Sequence, residues 1–236
     1  MSYAVVTEND VELDRDYISH ELGLVHANSI YVSTGEIRTY GDWWDNRGGL
    51  FAQIDELHKY ILGWLGIDQI KIVTSGGEYL LDQRELDSDG VKLIVIPLGF
   101  YYENGIKKLI LYYLEYFKEL GEFDSRIFSD FEPDVNKDLV LPRKYKYEGD
   151  YDSLVYVDGK DITDKKALDI ESQELCDSEY GVCVQVLQKT GTGENAQAEV
   201  KITLTSEYST PTPITKPEPS PTPSPTPSPS ADTRFD

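Results

Sequence analysis

The sequence predicts an α+β fold: a helical N-terminal half, then an antiparallel β domain, then a disordered Pro/Ser/Thr stalk. Three observations carry this. Between Leu50 and Leu65 the apolar residues Phe51, Ile54, Leu57, Ile61, Leu62 and Leu65 recur at steps of three and four, the spacing of one buried helix face. After Gly66 the texture changes to short apolar runs broken by turn residues. From Ser209 to Pro229 the chain is a series of Thr-Pro and Ser-Pro repeats.

In chain order, residues 1–17 are polar and acidic around a small Tyr3-Ala4-Val5-Val6 patch. A short helix is expected from Arg15 to Leu24, with Gly23 as its stop. Residues 28–49, rich in Gly, Asp, Ser and Asn, read as loop, and the amphipathic helix follows over Leu50–Leu65. Strands are expected at Gln69–Thr74, Tyr79–Leu81, Val91–Leu98, Lys108–Phe117, Leu154–Val157, Gly181–Gln188 and Ala198–Thr205, at intervals typical of a sandwich. Lys189–Asn195 reads as the hairpin loop between the last two. In the tail, proline fixes φ and Ser and Thr bury nothing, so a polyproline II spacer of roughly 60 Å, a substrate for O-glycosylation, is expected there, with a plain disordered tail as the alternative. The domain division is therefore 1–68, 69–207 and 208–236, and a further module is expected beyond the linker.

Composition narrows the partners. A formal charge of −21 argues against nucleic acid and anionic membrane, both polyanions. No run of 18 apolar residues exists, so no membrane span is expected. Asp87-Ser88-Asp89-Gly90 is a weak calcium signal, lacking the spacing and closing Glu of an EF-hand loop. Cys176 and Cys183, an even count seven positions apart around a ready turn, predict a disulfide in an oxidising compartment; two reduced, partly buried thiols are the alternative.

Chemistry concentrates at His20-Glu21-Leu22-Gly23-Leu24-Val25-His26. Zinc protease helices read H-E-x-x-H because histidines at i and i+4 reach one ion while the glutamate serves as general base. Here Leu24 holds the i+4 place. The longer H-E-x-x-H-x-x-G-x-x-H pattern fits if four residues, the middle histidine among them, are missing. Downstream come Tyr40-Gly41-Asp42-Trp43-Trp44-Asp45-Asn46-Arg47-Gly48 and His58-Lys59-Tyr60-Ile61-Leu62-Gly63-Trp64, then Tyr112–Tyr116 and Gly121–Ser125. Taken in order over residues 18–128, these segments resemble the gametolysin-like secreted zinc metallopeptidases, a metzincin-type family with Y-G-D-x-x-D-x-M-G and H-K-x-x-L-G-W segments.

The resemblance implies that residues 1–68 are a remnant helical half of a metzincin-like catalytic domain. It further implies zinc as cofactor with His20 and His26 as ligands, Glu21 as general base, an extracellular or cell-surface location, and a protein or peptide substrate. The zinc-bound hydroxide would attack the scissile carbonyl. Two departures bear on activity: the middle histidine is missing, and Arg47 stands where the family has methionine. The expectation is that this chain, as it stands, is not a working protease, and the competing reading is a non-catalytic binding or display module. With little sequence ahead of His20 and no leader-like segment, the chain is read as the downstream part of a longer secreted protein or a truncated gene product. No serine triad, phosphate loop or dinucleotide fingerprint offers another enzyme. Tyr40, Asp42 and Asp45 are noted as oxygen donors, His58 as a packing residue or third ligand, and Trp43, Trp44 and Trp64 as core or as an aromatic shelf.

Overall fold

A computed structural model describes residues 24, 26–31, 33–42, 44, 45, 47, 54–103, 106–118, 138–148, 151–157, 170, 171 and 174–205. Their order is β1 (His26–Tyr31), β2 (Ile37–Arg38), α1 (Glu56–Ile61), β3 (Ile70–Ile72), β4 (Gly77–Asp82), β5 (Leu93–Glu103), β6 (Ile106–Lys118), β7 (Asp138–Glu148), β8 (Tyr151–Val157), β9 (Leu175–Asp177), β10 (Val182–Thr190) and β11 (Gln197–Leu204). The fold is mainly β, which corrects the expected α+β class. Where a helical half was expected, the described residues hold one α-helix of six residues. Asp55 caps its start, its side chain accepting from the His58 N–H, and the chain leaves the helix through Gly63 at φ 74°. The three-and-four spacing after Leu57 thus continues past the helix itself. The 15–24 helix lies outside the described residues apart from Leu24, and so does the 208–236 stalk.

Two sheets form the body. The larger runs β2-β1-β8-β7-β6-β5-β3 and the smaller β4-β11-β10-β9. Pairing is antiparallel except that β1 lies parallel to β8 and β3 parallel to β5. Both sides of residue 68 contribute strands to the larger sheet.

Side-chain alternation sorts the larger sheet into two buried faces. Ile94, Ile96 and Leu98 of β5, with Ile110, Tyr112, Leu114 and Tyr116 of β6, pack on Val182, Val184, Val186, Ala198, Val200 and Ile202 of the smaller sheet. A register shift at Pro97/Gly99, where Gly99 takes φ 147°, is the bulge in the β5–β6 pair. On the opposite face Leu93, Leu111 and Tyr113 meet Leu57 of α1 and Leu65 beyond it. The structure is a sandwich with α1 and its flanking turns laid on the outer face of the larger sheet.

Cys183 of β10 stands opposite Cys176 of β9 in register, and the two are disulfide-bonded. The bond closes a step of only seven residues. Replacing both with serine is therefore expected to cost at most about 2–3 kcal/mol. Urea unfolding of the variant measures that cost, and a larger loss would show that β9 does more than close the edge. Thiol titration of the denatured, unreduced chain should find no free thiol.

Candidate buried charge cluster and apolar groove

The face of the larger sheet under α1 should be apolar by its burial, yet it carries charge. Glu115 of β6 and Arg143 of β7 are both fully buried, as are Asp42, Asp45, Asp55 and Glu56 from the turn and helix above them. Buried charges persist only when paired and hydrogen-bonded, and the partners are present. Arg143 Nη2 lies 2.9 Å from Asp42 Oδ2, and Arg143 Nη1 lies 2.9 Å from Asp55 Oδ2 and 3.0 Å from Glu115 Oε1. Arg84 donates from Nη1 to Glu115 Oε1 and from Nη2 to the Trp44 carbonyl, each at 2.9 Å. The Glu56 backbone N–H donates to Glu115 Oε2 at 2.9 Å, so one carboxylate ties α1 to β6.

Local turns aim the acids. Asp42 Oδ1 accepts from the Trp44 N–H and Asp45 Oδ1 from the Arg47 N–H, two-residue side-chain turns typical of Asp. Asp45 Oδ2 accepts from the Asp55 N–H at 2.9 Å, and Tyr113 donates its hydroxyl to Asp55 Oδ2 at 2.9 Å. His58 completes the group, with Nδ1 3.5 Å from Asp45 Oδ2 and 3.3 Å from Asp55 Oδ2. Asp45 of the one family-like segment and His58 of the other, which the resemblance linked only by their order, therefore meet at one place.

The charge states follow from burial and neighbours. Burial pushes Asp42 up to about 7 against the pull of Arg143. Burial likewise pushes Glu56 up to about 7, opposed by Lys59. Burial would lower His58, but Asp55 and Asp45 outweigh it and raise the imidazole to about 10. Asp55 goes the other way: burial opposes its charge, yet His58 and Arg143 hold it well below its ordinary value.

The sign of the pH effect is fixed by these directions. His58 contributes stability that is full below its ordinary 6.5 and is lost as pH rises through about 10. Asp42 and Glu56 bind protons more tightly folded than unfolded, so they too lose stability as pH climbs to about 7. Asp55 loses its contribution only in acid. The thermal midpoint is expected to be highest at about pH 4–5 and to fall steadily from there toward pH 10. Scanning calorimetry across that range checks this, and a profile flat from pH 6 to 10 would contradict it.

The residues expected to hold zinc are placed as follows. His20 and Glu21 lie outside the described residues. His26 begins β1, and its Nε2 shares a 2.8 Å hydrogen bond with the Tyr40 hydroxyl, the two rings 4.2 Å apart between centroids. Tyr40 sits at φ 55° and donates its backbone N–H to Asn28 Oδ1 at 2.8 Å. His58, the other described histidine, faces Asp45 and Asp55. Of the residues expected at the zinc, only His26 is described, and the phenol of Tyr40 stands beside its imidazole. Arg47 is buried at the Asp45 turn, Trp44 is in the core, Trp64 is 64% exposed, and Trp43 lies outside the described residues.

A second feature lies beside α1. An apolar groove of about 560 Å³ runs between the helix and the end of the sheet, lined among others by Ile61, Ile70, Ile72, Val95, Leu109 and Tyr145. Ile72 is 58% exposed and Ile67, at its rim, 67%. β3 forms the groove's outer wall and the end of the sheet: among the described strands it pairs with β5 alone. No described helix is long and apolar enough to cross a membrane.

No family model, curated protein or solved structure matches the chain.

Proposed function

We propose that this chain is a non-catalytic extracellular binding module, descended from secreted zinc metalloendopeptidases, that takes an extended segment of a partner protein along β3. The observation carrying this is the apolar groove beside β3, the end strand of the larger sheet among the described residues. An edge strand offers unpaired backbone N–H and C=O groups, and an incoming strand satisfies them while its alternate side chains enter neighbouring pockets. Ile70 and Ile72, two apart on β3, both line the groove, with Lys71 between them pointing away from that lining. Apolar anchors seated there would each contribute about 1.5–3 kcal/mol. The acidic surface favours a segment carrying Lys or Arg outside the groove.

Phage-displayed peptides selected on the full chain test this. Enriched sequences with alternating apolar residues are expected, and Ile72→Asp should weaken their binding at least tenfold at an unchanged circular dichroism spectrum. Absence of enrichment, or binding indifferent to Ile72, would reject the groove. The enzyme reading draws support from the meeting of Asp45 and His58, and it has its own assay. Hydrolysis of protein substrates with added zinc, abolished by chelator and by Glu21→Gln, would replace the module with a working protease.

A further inference from the structure

The triangle of Asp45, Asp55 and His58 has a geometry that pairing with arginine does not account for. The three side chains are 0%, 0% and 1% exposed. His58 Nδ1 stands 3.5 Å from one carboxylate oxygen and 3.3 Å from the other, yet neither ring nitrogen of His58 has a hydrogen-bond partner. A direct N–H···O bond to a carboxylate closes to about 2.7–2.9 Å. Ligand atoms sharing a small cation at about 2.0–2.1 Å lie about 3.3–3.4 Å from one another in a tetrahedral site. The two nitrogen-to-oxygen separations match the second arrangement, and all three ligand atoms lie within 4.8 Å of one another.

We propose that Asp45, Asp55 and His58 form a binding site for one divalent transition-type cation, of the zinc or manganese class, distinct from the His20/His26 pair. The donor set of one imidazole nitrogen and two carboxylate oxygens suits that class; calcium takes six to eight oxygens and magnesium keeps its waters. Two carboxylates also balance the charge of a dication. The ligands are held in advance: Asp45 Oδ1 by the Arg47 N–H at 2.6 Å, Asp55 Oδ1 by the His58 N–H at 2.8 Å, and Asp55 Oδ2 by the Tyr113 hydroxyl. Such outer bonds orient ligating carboxylates. Arg143 Nη1 lies 2.9 Å from the same Asp55 oxygen and 3.8 Å from Asp45 Oδ2, but it is shared with Glu115 and the other nitrogen is committed to Asp42, so the guanidinium stays as a neighbour of the site. His58 and Asp55 are three apart at the first turn of α1, and Asp45 comes from the preceding turn, so the cation would clasp that turn to the helix.

The test does not depend on the groove. The full chain is dialysed against micromolar zinc, then manganese, and metal is counted by elemental analysis beside His58→Gln, Asp45→Asn and His26→Ala, each checked for folding by circular dichroism. One cation per chain in the unaltered protein and in His26→Ala, with less than a tenth of that in the other two, supports the site. No retained cation in the unaltered protein overturns it, as does retention lost in His26→Ala. Should His58→Gln and Asp45→Asn both fail to fold, stoichiometric binding in His26→Ala that raises its thermal midpoint supports the site, and its absence overturns it.

Discussion

Replacing Arg143 with methionine is expected to cost about 3–5 kcal/mol, a large part of the roughly 5–15 kcal/mol that holds an ordinary domain folded. Methionine fills similar space, so the loss comes from charge. Asp42, Asp55 and Glu115 would remain buried without the guanidinium that lies within 3.0 Å of each. Those three acids come from the 40s turn, the start of α1 and β6, and Arg143 comes from β7. One side chain therefore fastens the outer layer to the sheet. Lys144→Met is the control: its ion pair with Asp177, at 3.4 Å and partly exposed, should be worth no more than about 1 kcal/mol. Urea unfolding followed by tryptophan fluorescence measures both, and equal midpoints for the two variants would refute the distinction.

Phe117→Ala should be comparably damaging, at about 3–5 kcal/mol. The ring is 0% exposed, is paired with Leu139 across β6 and β7, and lies under the Arg84 guanidinium at 4.7 Å from its centroid. Truncation opens a cavity and removes the face on which that cation rests. Phe117→Leu retains most of the volume and should cost less than half as much. Denaturation midpoints that rank alanine and leucine equally would mean the site collapses around the smaller residue.

Much of the β architecture could be read directly from residue order, because β5, β6, β10 and β11 are rich in Val, Ile, Leu and Tyr and are buried on at least one face. β1 could not. Its Asn28 and Ser29 look like loop residues, yet they are buried in a parallel pairing with β8 that only the distant strand creates. β7 was hidden by Pro142, Arg143 and its lysines, residues that argue against a central strand until Arg143 is seen facing three acids. The helix was overread for a different reason: its apolar spacing is real, but only Leu57 and Ile61 of that series lie within α1, Leu62 caps it, and Leu65 packs from beyond Gly63.

The charge cluster was half visible. Asp42, Asp45 and His58 stand out through their segments; Glu115 lies in the Tyr112–Tyr116 segment with no role assigned to it, and Arg84 and Arg143 do not stand out. The missed signal was Glu115 within Leu111-Tyr112-Tyr113-Leu114-Glu115-Tyr116-Phe117, a lone acid in a run apolar on both faces. A carboxylate there requires a buried cation from elsewhere in the chain.

The parallel union of β1 and β8 also sets an order of events during synthesis. β1 leaves the ribosome among the first described segments, but its partner is complete only with Val157. Throughout that interval its one local companion among the described residues is the two-residue β2. Pairings between remote segments form slowly, and a waiting edge is open to wrong neighbours. A nascent chain stalled before residue 157 should therefore hold its N-terminal strand protease-sensitive, and one released after β8 has emerged should protect it.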